Sequence, residues 1–201
     1  VNGFDAACDL TLIEPSPVLR SDLAQRLGHL QPKFADSLNR VATDHPLIVL
    51  ANEWLDCLPA RQFVRIAETW HERVIGLGAD DTLEFGLAAD QEPRPDPESP
   101  ALSDAVEVQP GLEWLVDTLA ARFARQPGRA LMIDYGESDR APGDTLRAYR
   151  DGQQVHPLAQ PGLCDLTVDV DFGRLARLAK AKGLTVHGPV PQGQFLLSLG
   201  A

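Results

Sequence analysis

The sequence has few cysteines, and none of them are paired. Cys8, Cys57 and Cys164 are the three in 201 residues, and none belongs to a CxxC motif. Single, widely separated cysteines argue against a disulfide framework and against a structural zinc site. The five histidines show no ligand spacing such as HxxxH, so no metal site is predicted. This cysteine usage is typical of proteins from a reducing compartment, and we expect a cytoplasmic protein.

Positive charge is also scarce. Eighteen Lys and Arg residues stand against 29 Asp and Glu residues, which gives a net charge of −11. Because an acidic protein gains little from a phosphate backbone, we expect no nucleic acid partner and favour a basic protein segment. No apolar run approaches the length of about 18 residues that a membrane span needs.

Several catalytic signatures are missing as well. The sequence contains no GxSxG elbow, no GxxxxGK[ST] phosphate loop and no HExxH helix. Ordinary hydrolases, nucleotide triphosphatases and zinc proteases are therefore disfavoured.

Apolar strands alternate with helices along the chain. The predicted strands cover 10–13, 32–34, 47–51, 130–133, 184–186 and 195–199, and the predicted helices cover 16–28, 112–123 and 171–183. This alternation predicts an α/β domain. Residues 61–87 alternate between apolar and polar side chains, which predicts antiparallel strands with a turn at Glu68-Thr69. A proline-rich acidic loop follows over 91–100.

Acidic residues follow three of the predicted strands: Glu14, Glu53 and Asp134. Ligands of an open parallel sheet bind beyond the carboxyl ends of its strands, so we expect these acids to form one polar rim. Glu14 would suit the ribose hydroxyls of a nucleoside, or would stabilise the start of the following helix. Glu53 would suit a guanidinium, held by two parallel hydrogen bonds, or would close the strand with a capped turn.

Two further features lie near this rim in the sequence. Tyr135 offers an aromatic face and a hydroxyl group to a ligand, although the residue types alone favour a core tyrosine beside a turn glycine. Asp165, Asp169 and Asp171 lie close together before the third predicted helix. They fit helix capping better than a metal site, because the glycine and the spacing of a calcium loop are absent.

Ordered blocks of sequence resemble the MidA-like methyltransferases, a family that includes the mitochondrial complex I assembly-factor methyltransferase. NEWLDCLP at 52–59 followed by QF at 62–63 resembles the family segment NEFFDALPxxQF, and ALMIDYG at 130–136 resembles ALxIDYG. Further matching blocks are VEVQP at 106–110, GDTLRAY at 143–149, DLTVDVDF at 165–172 and GPVPQGQFLLSLG at 188–200. Their order over nearly the whole chain makes the resemblance specific, with Trp54 at a position where phenylalanine is usual.

The resemblance implies a class I methyltransferase that uses S-adenosyl-L-methionine. It predicts a Rossmann-like sheet with a reversed last strand at 195–199 and a small antiparallel β insertion. The first part of the core would cover 1–59, the insertion and its proline-rich loop 60–105, and the second part 106–201. The family's upstream strand and glycine-rich cofactor loop are not in this sequence, so we expect this chain alone to lack part of the cofactor site.

The resemblance also implies roles for individual residues. The expected cofactor-binding residues are Glu14 at the ribose, Asp36 and Ser37 at the adenine, and Asn52. The expected catalytic residues are Asn52, Glu53 and Asp134, and the expected substrate-binding residues are Trp54, Tyr135 and Asp165.

The implied substrate is an arginine on a respiratory complex I subunit or a similar protein, in the mitochondrial matrix if the chain is eukaryotic. A homodimer is left open. Two alternatives also remain open: a nicotinamide- or nucleotide-dependent Rossmann enzyme, and a non-catalytic assembly factor that keeps the methyltransferase fold.

Overall fold

A computed structural model describes residues 3, 7–42, 44–90, 104–139 and 143–200. The elements in chain order are β1 (Thr11–Ile13), α1 (Pro17–Leu27), β2 (Lys33–Ala35), β3 (Leu47–Asn52), β4 (Arg61–Ile66), β5 (Thr69–Leu77), β6 (Leu83–Leu87), β7 (Ala105–Val108), α2 (Gly111–Phe123), β8 (Gly128–Ile133), β9 (Gly136–Glu137), β10 (Arg147–Arg150), β11 (Gln153–Val155), β12 (Asp165–Thr167), β13 (Val170–Asp171), α3 (Phe172–Ala181) and α4 (Gln192–Ser198). Short 3-10 helices cover Gly28–Leu30 and Leu38–Arg40. The predicted proline-rich loop at 91–100 lies outside the described residues.

Three parallel strand pairs, two of them connected through helices, confirm the α/β prediction. β1 pairs with β2, β3 with β8, and β9 with β13, all in parallel. Helix α1 begins as predicted, with Pro17 in its first turn and the Ser16 hydroxyl accepting a hydrogen bond from the Leu19 amide at 3.4 Å. These devices satisfy an amide that the helix leaves without a partner and fix φ where the helix starts.

The main core forms where α2 packs against the parallel strands. The apolar stripe predicted for this helix is buried, with Leu112, Leu115, Val116 and Leu119 each at most 5% exposed. Burying each such side chain stabilises the fold by roughly 1.5–3 kcal/mol. Leu55, in the segment after β3, belongs to the same cluster, so the core directly anchors the chain beside the predicted rim.

The alternating segment forms an antiparallel sheet in the order β6-β5-β4-β7. β4 and β5 are joined at Ala67-Glu68, close to the predicted turn, and Ala67 has a φ of 53°. β7 adds to the other edge of β4, so the sheet continues beyond the predicted boundary at residue 105. That this sheet is an insertion into a methyltransferase core stays a prediction.

A buried carboxylate, that of Glu107, joins this sheet to the segment before β10. It accepts hydrogen bonds from the Gln62 amide at 2.7 Å, from the Thr145 and Leu146 backbone amides at 3.0 and 3.1 Å, and from the Thr145 hydroxyl. Burial is the largest influence on this group and raises its pKa, although the hydrogen bonds act in the opposite direction. The Glu107 carboxylate thus serves to hold the sheet and the segment before β10 together.

The pH dependence of unfolding should reveal this raised pKa. Because the folded pKa of Glu107 lies above its ordinary value of 4.5, the folded state binds this proton more tightly than the unfolded state does. The contribution is therefore greatest below pH 4.5 and is lost as the pH rises through the folded pKa. Urea denaturation from pH 4 to 8 should show the stability advantage of the wild type over Glu107→Gln shrinking as the pH rises. An advantage that grows with pH would contradict the assignment, and Glu68→Gln, in the exposed turn, is the control.

Two predictions at the end of the chain are wrong. Leu184–Val186 forms no strand; instead the Leu184 amide bonds to the Ala179 carbonyl and closes the end of α3, with Gly183 at a φ of 79°. The expected reversed strand at 195–199 lies largely within helix α4, whose first turn is closed by the Phe195 amide on the Pro191 carbonyl at 3.0 Å. A short apolar run does not distinguish helix from strand, and in the described part of the chain no strand pairs with this segment.

One face of the β3–β8 pair is uncovered in this structure. Ile48 and Leu50 alternate with inward-facing Leu47 and Val49, yet they are 63% and 74% exposed. Each of these two strands, like β1 and β2, has only one hydrogen-bonded neighbour in the described chain. No helix in the described residues is both long and apolar enough to cross a membrane.

Candidate active site

The carboxyl ends of β3 and β8 lie side by side. The two strands pair in register from Leu47 opposite Gly128 to Asn52 opposite Ile133, so Glu53 and Asp134 both follow at the same end. The pairing continues one step further, because the Glu53 amide donates to the Ile133 carbonyl at 2.8 Å. The structure therefore brings these two predicted residues to one edge of the sheet, as expected for parallel neighbours.

Glu53 turns the chain sharply out of β3. Its φ is 46°, in the left-handed region that a residue with a side chain seldom adopts. Such a conformation costs on the order of 1 kcal/mol and persists only where the surroundings enforce it. The side chains of Asn52 and Glu53 are both exposed at this turn, so they are available to a ligand.

Asp134 enforces the turn. Its Oδ2 accepts hydrogen bonds from three consecutive backbone amides, those of Trp54, Leu55 and Asp56, at 3.1, 2.8 and 3.3 Å. Its Oδ1 accepts from the Tyr135 amide at 2.9 Å. Burial is the largest influence on this carboxyl and, together with the nearby Asp56 carboxylate, raises its pKa although the amide hydrogen bonds act in the opposite direction. Both oxygens are occupied by backbone groups, so Asp134 holds the segment in place.

The same segment is pinned from two other directions. The Gln109 side chain donates to the Leu55 carbonyl at 2.6 Å, and the Val168 amide donates to the Asp56 carbonyl at 3.2 Å. The Trp54 ring is half-buried and packs partly against the main core. The 53–56 segment is thus held by residues that follow β8, β7 and β12 and by the main core.

Tyr135 faces solvent and is not the core tyrosine of the alternative interpretation. It is 43% exposed, and its hydroxyl donates to Asp56 Oδ2 at 2.5 Å and lies 3.2 Å from the Thr167 hydroxyl oxygen. The adjoining Gly136 lies so close to β13 that an added Cβ would stand 2.0 Å from the Val170 carbonyl oxygen. That close approach fixes the backbone beside the tyrosine.

Glu14 and Asp36 form a second pair of neighbours. β1 and β2 pair in register up to Ile13 opposite Ala35, so these acids follow adjacent parallel strands. One oxygen of Glu14 accepts from the Ser16 amide at 2.8 Å, which supports the start of α1. Asp36 is exposed, and Ser37 is half-buried at the start of a 3-10 helix.

The strands that precede the two pairs of acids pack on one hydrophobic core, because Ile13 of β1 and Leu47 and Val49 of β3 contact the same cluster. That the acids surround a single opening stays a prediction. Asp165 is exposed at the start of β12. The pKa of the nearby Cys57 thiol is raised to about 12, first by partial burial and then by the carboxylates of Asp56, Asp165 and Asp134. No group of three or more His, Cys, Asp and Glu side chains in the described residues is arranged to hold a metal.

Sequence reasoning missed Asp56 and Thr167 as parts of this site. Both are buried, at 5% and 3% exposed, and they lie on either side of the Tyr135 hydroxyl. A usable signal was present for Asp56, because it is a carboxylate next to the fully buried Leu55 and three residues after Glu53. No local pattern marked Thr167, which reaches the tyrosine only through the pairing of β12 with β10 and the fold around it.

The chain is similar to known proteins along most of its length. A family model described as "Putative S-adenosyl-L-methionine-dependent methyltransferase" matches residues 2–190. The chain belongs to this methyltransferase family. It is 35% identical to protein arginine methyltransferase NDUFAF7 of Homo sapiens over 75% of this chain and 34% of that protein, and 37% identical to the Mus musculus protein over 76% and 35%. The Drosophila melanogaster homolog is 32% identical over 96% of this chain and 51% of its own length.

Two solved structures share the fold of this methyltransferase chain. A Burkholderia thailandensis superfamily protein superposes with a TM-score of 0.76 at 23% identity, covering 96% of this chain and 55% of that one. A second structure, of a "superfamily member and likely methyl transferase" from the same organism with bound S-adenosyl-homocysteine, gives a TM-score of 0.68 at 22% identity over 87% of this chain and 48% of that one. The chain spans between a third and a little over half of these relatives' lengths.

Proposed function

We propose that this chain supports methyl transfer from S-adenosyl-L-methionine to an arginine of a protein substrate, with a respiratory complex I subunit or a similar protein as the acceptor. The observation that carries the proposal is the turn after β3, where Asp134 holds three amides and presents Glu53 at the end of the sheet. Membership of the family supports S-adenosyl-L-methionine as the cofactor, and the names of the relatives support arginine as the acceptor.

The residues after β1 and β2 fit a nucleoside. A ribose needs a fixed carboxylate for its hydroxyl groups. The carboxylate of Glu14 is held by one oxygen at the start of α1, which leaves Oε2 for a ligand, and Asp36 lies beside it after the neighbouring strand. Glu14 would hold the ribose, while Asp36 and Ser37 would lie near the adenine and Asn52 near the reactive end.

Methyl transfer requires little from the protein beyond alignment of the reacting groups. The cofactor supplies a methyl group on a positively charged sulfur, and the protein must hold the accepting nitrogen in line with it. An arginine guanidinium stays protonated at neutral pH, so a carboxylate must orient it and offset the charge as the bond forms. Glu53 is exposed at a rigid turn and suits this role.

Asp134 is a positioning residue in this scheme. Both of its oxygens bind backbone amides, so the carboxylate has little capacity left for a substrate. Trp54, Tyr135 and Asp165 would contact the protein substrate. The net charge of −11 favours a basic segment as partner and disfavours nucleic acid. Relatives are mitochondrial by name, and we propose the mitochondrial matrix or a bacterial cytoplasm for this protein.

Calorimetry with S-adenosyl-homocysteine tests the proposal on the intact protein. We expect binding by the wild type and at least a tenfold weaker affinity for Glu14→Gln, because an amide replaces the acceptor for a ribose hydroxyl. Glu53→Gln is the matched control, and its affinity should stay within about twofold. If the folded wild type does not bind the ligand, the non-catalytic assembly factor becomes the better interpretation.

A further inference from the structure

We propose that Asp56 fixes the Tyr135 hydroxyl as an acceptor for one N–H of the substrate guanidinium. The inference rests on the proposed function, since it assigns a group that would recognise the accepting nitrogen. Asp56 is then a positioning residue, and Tyr135 is the residue that touches the substrate.

Asp56 is held firmly enough for this role. Its side chain is 5% exposed, its amide donates to Asp134, and its carbonyl accepts from Val168. The position of the Asp56 carboxylate is therefore set by its own backbone contacts. Its 2.5 Å hydrogen bond in turn determines where the Tyr135 hydroxyl lies. The tyrosine backbone is fixed as well, because the Val170 amide donates to the Tyr135 carbonyl at 3.0 Å.

The hydrogen-bond inventory of the hydroxyl leaves one acceptor position. A tyrosine hydroxyl has one proton and two lone pairs. The proton points to Asp56 Oδ2, so the Thr167 hydroxyl, 3.2 Å away, can approach only as a donor to one lone pair. The second lone pair accepts no hydrogen bond from the residues that the structure describes, and the side chain is 43% exposed. This position suits an N–H donor and offers nothing to an anion.

The charge on Asp56 strengthens that acceptor. In the described part of the chain no hydrogen bond satisfies Asp56 Oδ1, although this oxygen is buried. Negative charge is therefore poorly compensated beside the tyrosine, which strengthens the hydroxyl oxygen as an acceptor. Consistently, the hydrogen bond to Asp56 is the largest of the causes that raise the pKa of Tyr135 to about 12.

Nuclear magnetic resonance of the intact protein carrying ¹³Cζ-labelled tyrosine tests this arrangement. The signal that is lost in Tyr135→Phe is assigned to Tyr135, and Tyr149→Phe should keep it. At pH 10.5 an ordinary tyrosine with a pKa of about 10 is roughly three-quarters ionised, whereas the Tyr135 signal should remain in the phenol form while circular dichroism shows a folded protein. In Asp56→Asn the signal should move toward the tyrosinate form at the same pH.

The substrate contact is tested with methylguanidinium as the probe. We expect a saturable shift of the Tyr135 signal at neutral pH, and no shift with tetramethylammonium, which carries the same charge but no N–H. Asp56→Asn should lose most of the response, and Glu68→Gln, at an exposed acid in the β4–β5 turn outside the site, should keep it. An equal response to both cations, or no response to methylguanidinium, would overturn the proposal.

The wild-type measurements decide the matter even if Asp56→Asn does not fold, because they need no substitution at that position. They also separate the two proposals. A protein that binds S-adenosyl-homocysteine but ignores methylguanidinium overturns the tyrosine contact and leaves the methyltransferase intact. A protein that binds methylguanidinium at Tyr135 but no S-adenosyl-homocysteine supports the contact and removes the methyl transfer.

Discussion

Replacing Asp134 with alanine is expected to lower the free energy of unfolding by about 2–4 kcal/mol. The carboxylate accepts four backbone hydrogen bonds, three of them on one oxygen. Alanine would leave these four donors without their partner beside the core. Urea denaturation followed by tryptophan fluorescence measures the loss, and Trp54 itself reports on the segment.

Asp134→Asn separates the charge from the geometry. The amide keeps one accepting oxygen and places an NH₂ group against amide donors, so we expect a loss of stability between those of wild type and alanine. Asp165→Asn is the surface control and should change stability by less than about 0.5 kcal/mol. If Asp134→Ala is as stable as the wild type, the carboxylate does not organise the turn and Asp134 returns to the list of candidate bases.

The sequence was sufficient for those elements whose structure is set locally. Ser16 and Pro17 start α1, the spacing of Leu112, Leu115 and Leu119 buries α2, and Asp171 caps α3 by accepting from the Arg174 amide at 2.6 Å. Each signal depends on neighbours a few residues away. The apolar run at 47–51 was equally clear, because continuous apolar character is typical of parallel strands that are buried on both faces, although the outer face of β3 is exposed in the described residues.

The missed elements depend on distant partners. β9, β12 and β13 are two or three residues long and exist only because the fold brings other strands to them. The apolar run 195–199 was compatible with either period, and α4 satisfies its backbone groups internally where no strand is available.

The candidate site shows the same division. That Glu53 and Asp134 follow neighbouring strands was predicted from the sequence, and their register confirms the adjacency. That Asp134 holds the turn while Glu53 stays exposed was not predictable from the sequence. It depends on three amides of 54–56 donating to one Asp134 oxygen that is 78 to 80 residues away in the chain. The same holds for the contact between Tyr135 and Asp56, which are 79 residues apart.

Glu53→Gln in the intact protein is expected to reduce methyl transfer by about 100-fold or more, within the range found when a positioned acid or base is removed. The glutamine keeps the size and the exposed position of the side chain but removes the charge that orients a guanidinium. Transfer of labelled methyl groups to the proteins of an extract lacking this protein measures the loss. Affinity for S-adenosyl-homocysteine, measured on the same samples, should hardly change.

Glu53→Gly separates the backbone conformation at this position from the action of the side chain. Glycine adopts the φ of 46° without the cost of about 1 kcal/mol that a side chain incurs there, and this gain is offset by the greater freedom of glycine in the unfolded chain. We therefore expect stability within about 0.5 kcal/mol of the wild type together with the same loss of turnover as in the glutamine variant. A residue that is kept in a strained conformation, contributes no stability and is needed for turnover is one whose side chain acts on the substrate. Full turnover in either variant would remove Glu53 from the mechanism, and the exposed rim would then need another group to orient the guanidinium.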